Sequence, residues 1–213
     1  VICGPRAMVT DLRTGGMAGG SGEQAQTTSL INQMMQYYKL PNSSIAGASD
    51  SNIPDYQAGY EKALSIATSA QSGANLITQA SGMLSGLMGV SLESFILDNE
   101  LCGSILSSMR RIDTSTLDND LESIKKVINR DKHFLGEADT LKRMNTDFYY
   151  PKSAKRLSPE LWIKEKDNTM LTDACKRLEE LLSSNFESHL GLATLKKLET
   201  DFDINLDIVF SKG

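Results

Sequence analysis

Cysteine and histidine are scarce in this chain, long apolar runs and blocks of like charge are missing, and each lack removes a class of protein. The 213 residues hold three cysteines, Cys3, Cys102 and Cys175, far apart and odd in number. They form neither a CxxC pair nor a disulfide framework, so they read as reduced thiols, most of them buried as small apolar side chains. The two histidines, His133 and His189, show no HxxxH or Cys/His spacing, and no intrinsic metal is expected. His189 reads as a solvated helix end and His133 as a structural hydrogen-bonding residue. No apolar run approaches the roughly 18–20 residues that span a bilayer. The opening VICGPRAMVTD also lacks a basic stretch followed by an apolar one. The expectation is a soluble, unexported, cytoplasmic chain with no membrane partner. A net charge of −5, without a block of like charges, leaves no basic patch, so nucleic acid is not an expected partner.

With 40% apolar and 23% charged residues, the chain can build a real core. Glycine divides it. Residues 1–107 hold thirteen of the sixteen glycines, whereas 108–213 read as Leu, Lys, Glu and Asp. The first half predicts strands and loops, the second a helical region. Three short runs read as strands: Ala7–Thr10, Ser44–Gly47 and Asn75–Thr78. Helical patterns follow the first two. Glu23 to Tyr38 places Leu30, Ile31, Met34, Met35 and Tyr38 on one face and stops at Pro41; Tyr56 to Gln71 stops at Ser72-Gly73. Strand, helix, strand, helix, strand predicts three parallel strands. Further stripes follow: Phe95, Ile96, Leu101, Ile105 and Met109; then Leu117, Leu121, Ile124, Val127 and Ile128; then a long one from Asn168 to Leu190 that includes Cys175 and Phe186. Such stripes normally face a core. GGMAGGSGE (15–23) lacks the spacing and the lysine of a phosphate loop and the last glycine of a GxSxG elbow. It reads as a mobile loop.

A (β/α)8 barrel needs eight strands and about 250 residues. Three strands with a helical tail therefore predict an α/β fold that is the C-terminal portion of a TIM barrel. The start at Val1, without Met and with a strand close behind it, fits a fragment.

Three blocks in order, GASDSNIPDYQAGYEKAL (47–64), GANLITQASGMLSGLMGVSLESFILDNEL (73–101) and HFLGEADTL (133–141), resemble the C-terminal part of the trimethylamine:corrinoid methyltransferase family. The resemblance covers about residues 5 to 155. It implies transfer of a methyl group from a methylated amine to the cobalt of a corrinoid (cobalamin) carried by a partner protein. Co(I) attacks a methyl carbon, so the amine must leave from a cationic or otherwise activated nitrogen. Members acting on trimethylamine carry pyrrolysine, an electrophilic imine, near the segment that resembles ASDSNIPD. Here Asn52 takes that place, and an amide forms no imine adduct. The resemblance thus implies a quaternary amine such as glycine betaine. The alternative is a non-catalytic helical module, with residues 156–213 binding a protein partner. Oligomeric state stays open, a homo-oligomer included.

In a barrel, residues just past the carboxyl ends of strands line the active face. The substrate-binding candidates are Asp11 and Arg13 after the first run, Asp50 and Asn52 after the second, and Gln79 and Ser81 after the third. Asp50 would face the cation, helped by aromatic rings; the competing reading is that Asp50 or Ser49 caps a turn. Asp55 reads as a helix N-cap. Glu61 and Lys62 read as exposed or as a salt bridge, worth at most about 1 kcal/mol if exposed. Gly82, Gly86 and Gly89 mark either close approach to a ligand or a tight turn.

Overall fold

The computed structural model describes residues 2–130, 133–165, 169–184 and 189–204. Ser21 opens the first helix, α1 (Gly22–Tyr37), by accepting the Gln24 N–H on its Oγ at 3.1 Å. The helix ends where Lys39 turns left-handed at φ 55°, just short of Pro41. Strand β1 (Ser43–Ile45) follows, then α2 (Tyr56–Gln71), N-capped by Asp55 through the Ala58 N–H at 3.0 Å, as its sequence predicts. Ser72 and a left-handed Gly73 stop α2. Strand β2 (Leu76–Thr78) then returns parallel to β1, pairing Ser43 with Leu76 and Ile45 with Thr78. Asn42 and Asn75 flank this ladder, each backbone N–H donating to the other's side-chain oxygen at 3.0 Å.

Two parallel strands form here, not three. The segment that begins the chain touches β1 through a single parallel bridge, Cys3 to Asn42, whose bonds to Pro41 and Ser43 are both 2.8 Å. Residues 7–10 have no parallel ladder because a side chain satisfies them instead. Gln24 accepts the Val9 N–H at 2.8 Å and donates to the Ala7 carbonyl at 3.0 Å. Thr10 turns back antiparallel onto Met17. A second departure is a short hairpin, β3 (Met83–Leu84) and β4 (Gly89–Val90), around the one-turn helix Ser85–Leu87. Two-residue strands are too short to show alternation in a sequence.

From α3 (Leu92–Ser108) onward the described residues contain helices and no strand: α4 (Leu117–Asn129), α5 (Ala138–Thr146), α6 (Pro159–Lys164), α7 (Met170–Ser183) and α8 (Leu192–Phe202). Asn168 and Phe186 of the long predicted stripe lie outside the described residues. α3 packs on α2 and on α7. The buried Glu100 of α3 ties down the segment before α6, accepting the N–H groups of Lys152 and Ser153 on Oε1 and of Ala154 on Oε2. The core gathers Ala46, Ile66 and Ile105, with Ile77 and Leu101 against them.

Two stripes do not face inward. α1 buries Gln24, Ala25, Thr28 and Asn32 and leaves Leu30, Met34 and Tyr38 exposed. The reason is a polar network: Asn32, fully buried, donates to Ser72 Oγ and the Ser69 carbonyl, and its Oδ1 accepts from Asn42 and Ser44. These bonds orient α1 by its amide, not by its apolar residues. In α4 only Val127 is buried, and Leu117, Leu121, Ile124 and Ile128 are exposed. All three cysteines are free and only partly buried. Among the described residues no helix is long and apolar enough to cross a membrane.

Candidate functional site

The carboxyl end of β1 opens into a loop that three segments share. Gly47 sits at φ 94°, and a Cβ there would stand 2.7 Å from the Ala80 Cα, so only glycine lets the loop leave the strand against the end of β2. Beyond it, Ser49 is fully buried. Its Oγ donates to Glu61 Oε2 at 2.7 Å and accepts the Ser51 N–H at 3.0 Å. The Ser51 hydroxyl donates to Asp55 Oδ1 at 2.9 Å. The hairpin turn is laid against this loop by Ser85 N–H on the Ser51 carbonyl and Gly86 N–H on the Ser49 carbonyl, at 2.8 and 2.9 Å.

Asp50 lies at the junction. Its two carboxylate oxygens accept the N–H groups of Gly19 and Gly20 at 3.0 and 3.2 Å, and its own N–H donates to Glu61 Oε2 at 2.8 Å. The segment is therefore held at Gly19 and Gly20, both buried, while Gly15 and Gly16 are exposed. Glycine is required at position 20 because a Cβ would fall 2.4 Å from Glu61 Oε2.

Glu61 and Lys62 are both buried, at 4% and 1% exposure, which overturns the exposed reading, and Lys62 alone of the two forms a salt bridge among the described residues. They point to different partners. Lys62 Nζ pairs with Asp98 at 2.6 Å, and the same Asp98 oxygen accepts the Gly82 N–H at 2.8 Å, fixing the turn that carries Gln79 and Ser81. Burial raises the Asp98 carboxyl against the opposing pull of Lys62 and that N–H. Glu61 Oε1 accepts Gln57 Nε2 at 2.8 Å and the Tyr60 hydroxyl at 3.5 Å. Loss of solvent is the first reason that the Asp50 carboxyl is raised, and the nearby Glu61 charge adds to it against the bond from Gly20. Tyr60 is raised likewise, by desolvation and then by the Glu61 charge. The ion pairs of the described residues include neither Asp50 nor Glu61. The Tyr56 and Tyr60 rings stand 5.7 Å apart, one helical turn from each other.

Asn52 is exposed, and its Oδ1 accepts the Ser85 hydroxyl at 2.7 Å. It lines an open cleft of about 400 Å³ with Pro54, Leu84, Gly89 and Val90. Asp50, Asn52 and the hairpin glycines thus belong to one junction, where Gly86 serves a tight turn at φ 58°. The other candidates lie apart. Asp11 and Arg13 pair with each other at 2.7 Å within their own turn, and the guanidinium holds the Asp11 carboxyl down at about 2. Gln79 is exposed in a left-handed turn. Ser81 faces a different and larger cleft, about 700 Å³, between α3 and α7. The sequence reading missed the roles of Glu61, Gly19, Gly20 and Ser85. One signal was available: Glu61 and Lys62 are the only charged residues in α2, whereas a solvated helix repeats its charges along one face. Among the described residues no cluster of three or more His, Cys, Asp or Glu side chains is placed to hold a metal.

The model of the trimethylamine methyltransferase (MTTB) family matches residues 1–205. The chain belongs to that family. A glycine betaine methyltransferase of Desulfitobacterium hafniense is 34% identical over 172 residues, which is 79% of this chain and 35% of that protein. A trimethylamine methyltransferase MttB of Methanosarcina barkeri is 29% identical over 196 residues, 91% of this chain and 38% of that protein. A Methanosarcina thermophila MttB is 36% identical over 117 residues, 55% of this chain and 24% of that protein. The chain spans little more than a third of the length of the first two relatives. The span matched to the trimethylamine methyltransferase family includes the Asp50 junction.

Proposed function

We propose that the chain is the C-terminal portion of a TIM-barrel methyltransferase that takes a methyl group from a quaternary amine and passes it to a corrinoid on a partner protein. The observation that carries this reading is the pair of carboxylates at the end of β1. Asp50 and Glu61 meet there with no ion-pair partner among the described residues, and the Tyr56–Tyr60 ring pair stands beside them. An uncompensated pair of like charges in a half-buried place is relieved by a cation, and tyrosine faces attract one at about 0.5–2 kcal/mol each. A quaternary ammonium suits it because all four lone-pair directions of Glu61 are already taken, by Ser49, Asp50, Gln57 and Tyr60. The site offers such a cation a field without asking it to donate hydrogen bonds.

When bound, a reduced corrinoid supplies the nucleophile that accepts the methyl group. The residues of this chain would hold the cation with its methyl groups toward the open rim, where Asn52, Ile53 and Tyr56 are exposed. That rim is the side from which a group carried by another protein can approach. Asn52, its oxygen engaged by Ser85, offers an amide and no electrophile, so a tertiary amine gains no activation there. The match to glycine betaine methyltransferase supports the same choice. A second reading, a helical interaction module, is favoured by the exposed Leu161, Trp162 and Ile163 of α6.

Calorimetric titration of the chain with tetramethylammonium and with neopentyl alcohol, a soluble uncharged analogue built on the same quaternary centre, tests the proposal. The ammonium is expected to bind and the alcohol not, and Asp50→Ala is expected to abolish the difference. Equal binding of both, or no effect of Asp50→Ala, would sink it. Alone, the chain is expected not to methylate cob(I)alamin, because the ends of two strands do not close a site against water.

A further inference from the structure

We propose that Glu61 is the positioning residue of this site: its carboxylate seats the backbone of Ser49 and Asp50 and, through Asp50, holds the glycine segment at 19–20 over the end of β1. The inference deepens the reading above and rests on Asp50 as the carboxylate that faces the cation.

The geometry is a relay of three contacts. Glu61 Oε2 accepts both the Ser49 hydroxyl and the Asp50 N–H, at 2.7 and 2.8 Å, which fixes the direction in which the Asp50 side chain leaves the loop. Asp50 then spends one oxygen on Gly19 and the other on Gly20. Gly20 closes the circuit by lying directly on Glu61, so closely that no side chain fits between them. Glu61 is itself oriented from its other oxygen by Gln57, one turn earlier in α2. The charged and titratable groups facing Asp50 are Glu61 and Tyr60 from α2; the glycine segment and the hairpin turn contribute only backbone N–H groups and the Ser85 hydroxyl. A carboxylate in this place therefore has two separable effects. It supplies an acceptor to the Ser49–Asp50 turn, and it sets a negative field at Asp50.

Glu61→Gln separates them. An amide oxygen can take the place of Oε2, while the amide nitrogen donates to Tyr60 Oη and to a flipped Gln57 side chain, so the acceptor stays and the charge goes. Amide exchange followed by NMR is expected to show Gly19 and Gly20 unchanged in Glu61→Gln, with the Asp50 carboxyl titrating at lower pH because its like-charged neighbour is gone. In Glu61→Ala the same two amides should exchange about tenfold faster or more. The Leu76 amide, which bonds the Asn42 carbonyl across the sheet, should keep its rate. Gly20→Ala should also free the segment, because the added methyl meets the Glu61 carboxylate at 2.4 Å and the Glu61 Cβ at 2.8 Å. Unchanged Gly19 and Gly20 exchange in Glu61→Ala would overturn the proposal. So would an Asp50 titration that does not move in Glu61→Gln, and that variant decides the matter if Glu61→Ala does not fold. Tetramethylammonium affinity is read separately and should fall about threefold to tenfold in Glu61→Gln. If the unaltered chain binds no ammonium, the cation reading fails, while exchange and titration still decide the positioning role.

Discussion

Replacing Lys62 by Met keeps the length of the side chain and strands its partner. Asp98 would remain 5% exposed, holding one hydrogen bond from Gly82 where it now holds that bond and an ammonium at 2.6 Å. Removing one member of a buried pair costs about 3–5 kcal/mol, chiefly the penalty of an uncompensated charge. Against a total stability of about 5–15 kcal/mol that is about a fifth of the whole or more. With a urea dependence of about 2 kcal/mol per molar, the unfolding midpoint falls by about 1.5–2.5 M. The double variant Lys62→Met with Asp98→Asn removes the stranded charge and keeps an acceptor for Gly82, so it should be more stable than Lys62→Met alone. The sign with pH follows from the direction of the shift. A carboxyl raised in the folded state binds its proton more tightly folded than unfolded, so the Lys62→Met deficit should shrink as pH falls. A deficit below about 1 kcal/mol, or a double variant no better than the single one, would refute the reasoning.

Asp50 is raised as well, so its contribution to stability is present below its unfolded value and lost as pH rises through its folded one; in Asp50→Asn that slope should vanish from urea midpoints taken between about pH 4 and 7. Glu100→Ala leaves the three N–H groups of Lys152, Ser153 and Ala154 without their acceptor, and hydrogen exchange there should accelerate while α2 keeps its protection. Gly47→Ala drives a Cβ to within 2.7 Å of the Ala80 backbone at a φ of 94°, and the loss of stability by thermal melting should exceed about 1 kcal/mol; a neutral result would mean that the strand ends can part.

What could be read from the sequence was what is encoded locally. Asp55 as a cap, Ser72-Gly73 as a stop, the span of α2 and the positions of β1 and β2 each depend on a few neighbouring residues. What could not be read depends on residues far apart in the chain. A glutamine at position 24 replacing the ladder of residues 7–9 leaves no periodic trace. Nor does the choice of α1 to bury Asn32 in place of Leu30, since apolar spacing predicts the face with the larger hydrophobic gain and is blind to an amide that finds four partners. Of the proposed site residues, Asp50 and Asn52 fall in one junction because they share a loop. Asp11, Arg13, Gln79 and Ser81 were grouped with them by the geometry of a barrel mouth, and they separate because one pair satisfies itself and the others turn toward different surfaces. Glu61 stands a turn and a half inside a helix, where a charge is ordinarily taken for a solvated one.

The reciprocal bonds between Asn42 and Asn75 bear on how the chain folds. The two strands are three residues long and begin 33 positions apart, so their alignment has little ladder of its own to enforce it. A slip of one residue would turn the faces of Leu76 and Ile77 over and separate both amide oxygens from the N–H groups they now accept. The asparagines thus act as a checkpoint that only the correct alignment passes. Closing that long loop is an entropic expense repaid only at the end. Strand pairing is accordingly expected late in folding, and in Asn75→Ala stopped-flow refolding should slow.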